Sequence, residues 1–394
     1  MALALTMSTA QAVNQEIRAL FQPDPAQPSK NAFINQTPSS GYCVSFPLKC
    51  AENNMFSIEL PVRYSSNRAL IPGDGVSLQV PAGWRQLTVT NADTGETEAV
   101  ELRITGIGSD FVLSDSASSL SGAPNNREGH DNLWNSYGWL YAPAPCLGSG
   151  LAGFGSHSYR FFWHTPVEAS CTKTALFRIP SMSFDKFDFA YELKTPNPLG
   201  MSSGLYTGSI TYTLGPGGDF HMGHMMEPDD SQLTLDFVLD VQHTLKVDLP
   251  PGGDKVSLEP EGGWARWIEG GRKPTRIFRD QLFYLSASSR FKVLMLCNST
   301  GGTACKLGSP KGDTTEVEVF LTLPPGISGS GGNVNRLPLR FNEWAGPFQP
   351  GIYVDRKPGT LHFEMTPFAI NFLLQPGKND RLRGNVTIIW DSEA

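Results

Sequence analysis

The apolar residues of this chain recur with a period of two, and that constrains it more than any other feature. Val317, Val319, Leu321 and Leu323 alternate with Glu318, Phe320 and Thr322, the pattern of a strand that buries one face. Leu87-Thr-Val89-Thr and Val100-Glu-Leu102-Arg-Ile104 flank a turn cluster at Asn91 to Gly95, which reads as a hairpin. Similar runs recur at 56–62, 76–80, 159–163, 175–179, 233–239, 244–249, 256–258, 291–296 and 361–365. With 40 glycines and 30 prolines in 394 residues, long helices are not expected and turns should be many. The expected fold class is all-β, as two immunoglobulin-like β-sandwich domains in tandem.

Only 18% of residues are charged while 40% are hydrophobic, so the chain can build a core and general disorder is excluded. A net charge of -7 argues against a nucleic-acid or anionic-membrane partner for the whole protein. No apolar run is long enough to span a bilayer as a helix. The first twelve residues, MALALTMSTAQA, close in Ala10-Gln11-Ala12, the small-x-small pattern of a signal-peptidase site, although a basic n-region is missing. They are taken as a signal-peptide remnant, with the mature chain beginning at Val13. The six cysteines form three close couples with no C-x-x-C among them. In an exported chain they read as the disulfides Cys43–Cys50, Cys146–Cys171 and Cys297–Cys305, because short separations suit hairpin or loop staples.

A weak internal repeat supports two sandwiches. Tyr206-Thr-Gly208-Ser-Ile210-Thr-Tyr212 matches Leu382-Arg-Gly384-Asn-Val386-Thr-Ile388 at a constant offset, as late strands of successive domains would. The boundary is placed near Asp240, giving domains 13–240 and 241–394. The last strand, Asn385 to Trp390, stands almost at the end of the given sequence, so the second sandwich is expected to expose a sheet edge that a partner's strand would fill.

The stretches Leu205 to Leu214, Leu235 to Leu249 with Pro250-Pro-Gly-Gly253, Ser288-Ser-Arg-Phe291 and Gly384-Asn-Val-Thr-Ile388 resemble the two-domain tip adhesins and minor pilins of chaperone-usher fimbriae, of the CfaE and CblD type. The resemblance covers the last half of the chain best. It implies an N-terminal domain that binds a host glycan or glycoprotein receptor, and a C-terminal pilin domain lacking a strand. A periplasmic chaperone, an outer-membrane usher and the next pilin subunit's donor strand would be the partners, and export through the periplasm to the pilus tip the route. The family's adjacent pair of arginines has no counterpart in Leu205 to Leu214, so the same receptor does not follow. Val13 to Phe21 alternates in a way that suits either a first adhesin strand or a donor strand. The latter would make the protein a non-adhesive adaptor.

The segment Arg127 to Tyr141 is the best receptor candidate. Trp134, Tyr137, Trp139 and Tyr141 could stack on a sugar, while Asp131, Asn132 and Asn135 take its hydroxyls, with Arg127 and His130 beside them. Dense aromatics also suit a sandwich core. Gly148-Ser-Gly150-Leu-Ala-Gly153 matches a dinucleotide fingerprint without the strand and helix it needs. His221 and His224 beside Met222, Met225 and Met226 form a weak copper or zinc pattern. Trp264, Arg266, Trp267, Arg272, Lys273, Arg276 and Arg279 interleave aromatics with positive charge, and strand faces and turns account for them. No nucleophile elbow or H-E-x-x-H occurs, so no enzyme, metal or cofactor is expected. A self-contained secreted binding protein, or a glycan-active enzyme needing a carboxylate pair, are the rival classes.

Overall fold

The computed structural model describes residues 13–392 apart from Asn54, Arg272 and Asn379; the signal-peptide reading of residues 1–12, and Arg272, lie outside the described residues. Strands dominate, and no helix exceeds seven residues among those described, as the glycine and proline content requires. Two compact units form. The first comprises described residues through Leu20 with Ile34–Pro196 and Leu205–Asp240; the second takes Phe21–Phe33, Asn197–Gly204 and the chain from Val241.

The first unit is organised by the 17-residue strand Thr97–Leu113. Arg85–Asn91 pairs with its first half in the expected hairpin. The Asn91 side-chain oxygen accepts from the Asp93 and Thr94 amides, and Gly95 takes a positive φ of 73° that favours glycine. Ser158–His164 pairs with the second half, while Met182–Lys194 runs along the other side. A Cβ at Gly106 or Gly108 would lie 2.4 or 2.5 Å from the Phe162 ring, so neither could be alanine without repacking.

Outward from Arg85–Asn91 the order is Gly204–Thr213, Gln232–Val241, Val13–Phe21 and Ile34–Asn35. Val13–Phe21, ambiguous in sequence, therefore lies in a sheet beside Gln232–Val241, with Ile17, Ala19 and Phe21 buried. Two expected strands are displaced. Residues 171–174 rather than 175–179 form the strand that pairs with Gly75–Leu78, and 256–258 is irregular, with Glu259–Pro260 paired instead.

The second unit is a sandwich. One sheet runs Leu245–Asp248, Ile277–Ala287, Val354–Met365, Thr314–Thr322, Ala304–Gly308; the other runs Ile327–Gly329, Trp344–Pro350, Phe291–Cys297, Val386–Ser392. Alternate residues interdigitate between them: Phe283 and Leu285, Val317 and Val319, Leu361 and Phe363 from one sheet meet Val293, Met295 and Phe348 from the other. All three sequential disulfides form, with Cα separations of 5.5, 5.9 and 5.6 Å. Cys146–Cys171 and Cys43–Cys50 staple the first unit, and Cys297–Cys305 the second.

Candidate functional site

Two places, one in each unit, are candidates for a binding site. In the first, a cleft of about 500 Å³ is lined by Asp131, Asn132, Trp134, Ser136, Tyr137, Leu176 and Phe177. The short helix Asn126–Asn132 leads into it, started by Asn125, whose side-chain oxygen accepts from the Glu128 amide at 3.0 Å. The chain then pairs with the segment after Cys171–Thr174: the Asn135 amide donates to Thr174 O, the Leu176 amide to Leu133 O, and the Asn135 side-chain oxygen accepts from the Thr174 amide at 2.8 Å. Tyr137 stands 68% exposed, with Leu176 at 49% and Phe177 at 37%.

Beneath the loop lies Lys173, with no exposed surface. Its Nζ donates to the carbonyls of Asn135, Ser136, Tyr137 and Gly138 at 3.1–3.3 Å. Ser136 and Tyr137 both adopt positive φ, 56° and 65°, a conformation that costs a non-glycine residue energy. It turns successive carbonyls toward one point, and the ammonium occupies that point. Burial pulls the Lys173 pKa down to about 8, against the attraction of Asp131. Asp131 itself accepts from the Gly138 amide at 3.0 Å, and a Cβ on Gly138 would stand 2.7 Å from that oxygen.

Burial divides the expected receptor residues. Trp139 and His130, 0% and 1% exposed, are core and do not line the cleft, so their predicted contact with a sugar is corrected; Trp134, 1% exposed, is a core ring that only borders the cleft. Trp139 packs on Trp163, Phe111 and Phe161. His130 Nε2 contacts Gly155 O at 3.0 Å, and burial lowers its pKa. Asn135 is committed to the backbone of residue 174. Arg127 is exposed on the helix and is not among the residues lining the cleft. Asp131, Asn132 and Tyr137 are brought together. Leu176 and Phe177 belong with them and were missed, because their alternation reads as strand.

In the second unit the place is a sheet edge. Val386–Ser392 hydrogen-bonds to Phe291–Cys297 along its whole length; among the described residues nothing pairs with its other side. Leu245–Asp248 is the corresponding edge of the facing sheet. Val386, Ile388 and Trp390 from one edge and Leu245 and Val247 from the other pack on the core while only partly buried. Their counterparts one strand inward, Val293 and Met295, are fully buried. The expected repeat does not hold as two equivalent strands: Tyr206 to Tyr212 lies wholly within the strand Gly204–Thr213, whereas of Leu382 to Ile388 only Val386 to Ile388 lies in the edge strand, and Arg383 bridges to Gly308.

Of the other motifs, Arg266, Trp267, Lys273 and Arg276 line an open cavity of about 690 Å³ in the second unit, with Arg266 and Trp267 on the short helix Ala265–Ile268. Met222 and Met226 are buried in the core, so the two histidines lack their thioether company. The glycine run 148–153 forms two short strands against Ser158–His164. Arg276 pairs with Glu364 at 2.6 Å, and Lys273 donates to Asn371 at 2.7 Å, on the strand faces and turns expected there. One constellation was invisible in sequence: His362 lies 2.6 Å from Asp280 and 2.8 Å from Thr322. Thr322 Oγ1 also accepts from the Arg336 amide at 3.0 Å, so the three link neighbouring strands on the outward sheet face.

No protein-family model and no curated protein matches the chain. Among solved structures it is similar to CfaE, the adhesive subunit of CFA/I fimbria of enterotoxigenic Escherichia coli, at 9% identity over 98% of this chain and 94% of that one, with a TM-score of 0.28. A chaperone–tip adhesin complex of CFA/I fimbriae biogenesis matches at 9% identity over 99% of each chain, TM-score 0.28. The CsuC–CsuE chaperone–tip adhesion subunit complex from archaic chaperone-usher Csu pili of Acinetobacter baumannii matches at 8% identity over 97% and 99%, TM-score 0.23. These superpositions are too loose to carry residues across, and the functional reading rests on this chain's own strand order and burial.

Proposed function

We propose that the chain is a tip adhesin of a chaperone-usher fimbria, with the first unit binding a host-surface glycan and the second, which also takes Phe21–Phe33 and Asn197–Gly204, forming a pilin unit that another subunit's strand completes. The observation that carries this reading is the open edge of Val386–Ser392 over half-buried core residues. An added strand would satisfy its main-chain groups, and alternate side chains would cover Ile388 and Trp390. A periplasmic chaperone would cover the same edge first, the usher would receive the complex, and the next pilin would replace the chaperone. Val13–Phe21 lies beside Gln232–Val241 in its own sheet, which supports the adhesin-strand reading of that segment over the donor-strand one. The glycan assignment is supported by the cleft at Tyr137, where exposed rings adjoin a carboxylate, an amide and a hydroxyl. No catalytic role is part of this reading.

Amide hydrogen exchange of the purified chain tests it. Addition of a pilin N-terminal strand peptide should slow exchange along Val386–Ser392 and Leu245–Asp248 and leave the first unit unchanged. Unaltered exchange on both edges, at peptide concentrations that occupy a known pilin, would count against an incomplete sandwich.

A further inference from the structure

The most unusual polar arrangement in the first unit is a fully buried ammonium that, among the described residues, meets no carboxylate within salt-bridge distance and is instead held by four consecutive backbone carbonyls. A buried lysine is costly unless its charge is compensated. Here the compensation comes from the loop that carries Tyr137, and Ser136 and Tyr137 adopt the backbone conformation that makes it possible. The dependence is mutual: without the cation, four carbonyl dipoles would point at one another across an apolar hole, with two non-glycine residues in the left-handed region and no interaction holding them there.

We propose that Lys173 is the positioning residue of the ligand cleft, its ammonium fixing residues 135–138 so that Tyr137 faces Phe177 across a cleft that takes a neutral saccharide. This rests on the reading of that cleft as the receptor site. Neutrality follows from what faces the ligand. Asp131 is the only charged side chain among the residues lining the cleft; Lys173 is spent on backbone beneath it, and the exposed Arg127 and Arg178 stand outside the lining. An anionic sugar would meet the Asp131 carboxylate with no cation in the lining to offset it, whereas the exposed rings suit the apolar face of a pyranose. The disulfide Cys146–Cys171 and the pairing of Lys173 with Val76 anchor the lysine from below, so the loop is ordered from the rigid side toward the ligand.

The experiment compares the full chain with Lys173→Met, Lys173→Ala and Tyr137→Ala, reading amide exchange at residues 135–138 and binding to immobilised neutral and sialylated saccharides. Lys173→Met should accelerate exchange in the loop on the order of tenfold or more, the loss of at least one charge-assisted hydrogen bond, and weaken saccharide binding. Lys173→Ala should behave likewise and be restored by propylammonium, which returns the missing stem and charge, and not by 1-propanol, which returns only volume. Loop exchange unchanged in Lys173→Met, or equal rescue by both additives, would overturn the positioning role whatever the ligand. If the loop loosens as expected but Tyr137→Ala binds saccharides like the parent chain, the receptor reading fails instead. Preference for sialylated over neutral saccharides would overturn the assigned ligand class.

Discussion

Fusing a pilin-type donor strand after Ala394 should raise the melting temperature of the second unit alone, by an amount the structure sets. Five apolar side chains at the two open edges, Leu245, Val247, Val386, Ile388 and Trp390, are partly buried. Full burial of such a side chain stabilises by about 1.5–3 kcal/mol, so completing a half-finished burial contributes about 1 kcal/mol each, roughly 5 kcal/mol together. The donor's own alternate side chains and new main-chain hydrogen bonds roughly offset the cost of about 1–2 kcal/mol per residue for ordering its backbone. For a unit of roughly 150 residues, 1 kcal/mol moves the midpoint by about 2–4 °C, which gives a rise of about 10–20 °C. Differential scanning calorimetry would resolve this as an upward shift of one transition with the other in place. The control is the same strand shifted by one residue in its alternation, which presents polar side chains to the groove and should recover little of the gain. A rise under about 2 °C, or an equal rise with the shifted strand, would refute the reasoning.

Other outcomes follow from the first unit. Tyr137→Ala, at a site 68% exposed, should abolish saccharide binding while leaving the melting curve within experimental scatter, whereas Trp139→Ala, at 0% exposure, should cost about 3–5 kcal/mol and be visible by calorimetry. Replacing Cys146 and Cys171 together by serine removes a staple with a sequence separation of 25, and urea unfolding should show a loss of about 3 kcal/mol. Asp188 is fully buried beside Arg160 at 2.5 Å, and burial pushes its pKa from an ordinary 3.8 up to about 7 despite that neighbour. Its folded value lies above its unfolded one, so its contribution is complete below about pH 4 and lost as pH rises through 7. The urea midpoint should therefore gain a falling segment between those values that Asp188→Asn flattens, and an unchanged slope in the variant would refute the assignment.

What the sequence revealed and what it hid divide along a physical line. Alternation specifies which face of a strand is buried, so the hairpin around Asn91 to Gly95, the strand Thr314–Thr322 and the edge at Val386–Ser392 were all readable. Each depends only on residues close in the chain. The three cysteine couples were readable for the same reason. Leu176 and Phe177 were misread because alternation cannot distinguish a side chain turned into a core from one turned into a cleft: that depends on Asn135 and Thr174 pairing across the chain. Trp134 and Trp139 were open to both readings, since a dense aromatic segment serves cleft or core until it is seen to pack with Phe111, Phe161 and Trp163 from other strands. Lys173 carried no signal at all. A lone lysine between two threonines in an apparently amphipathic run reads as solvated, and only the positive φ of Ser136 and Tyr137, residues far from it in sequence, turns four carbonyls toward it. Local patterning thus specifies the strands, including the one that stands at the sheet edge. The candidate receptor site depends on contacts between distant segments, and these can change from chain to chain without disturbing the alternation that builds the sandwich.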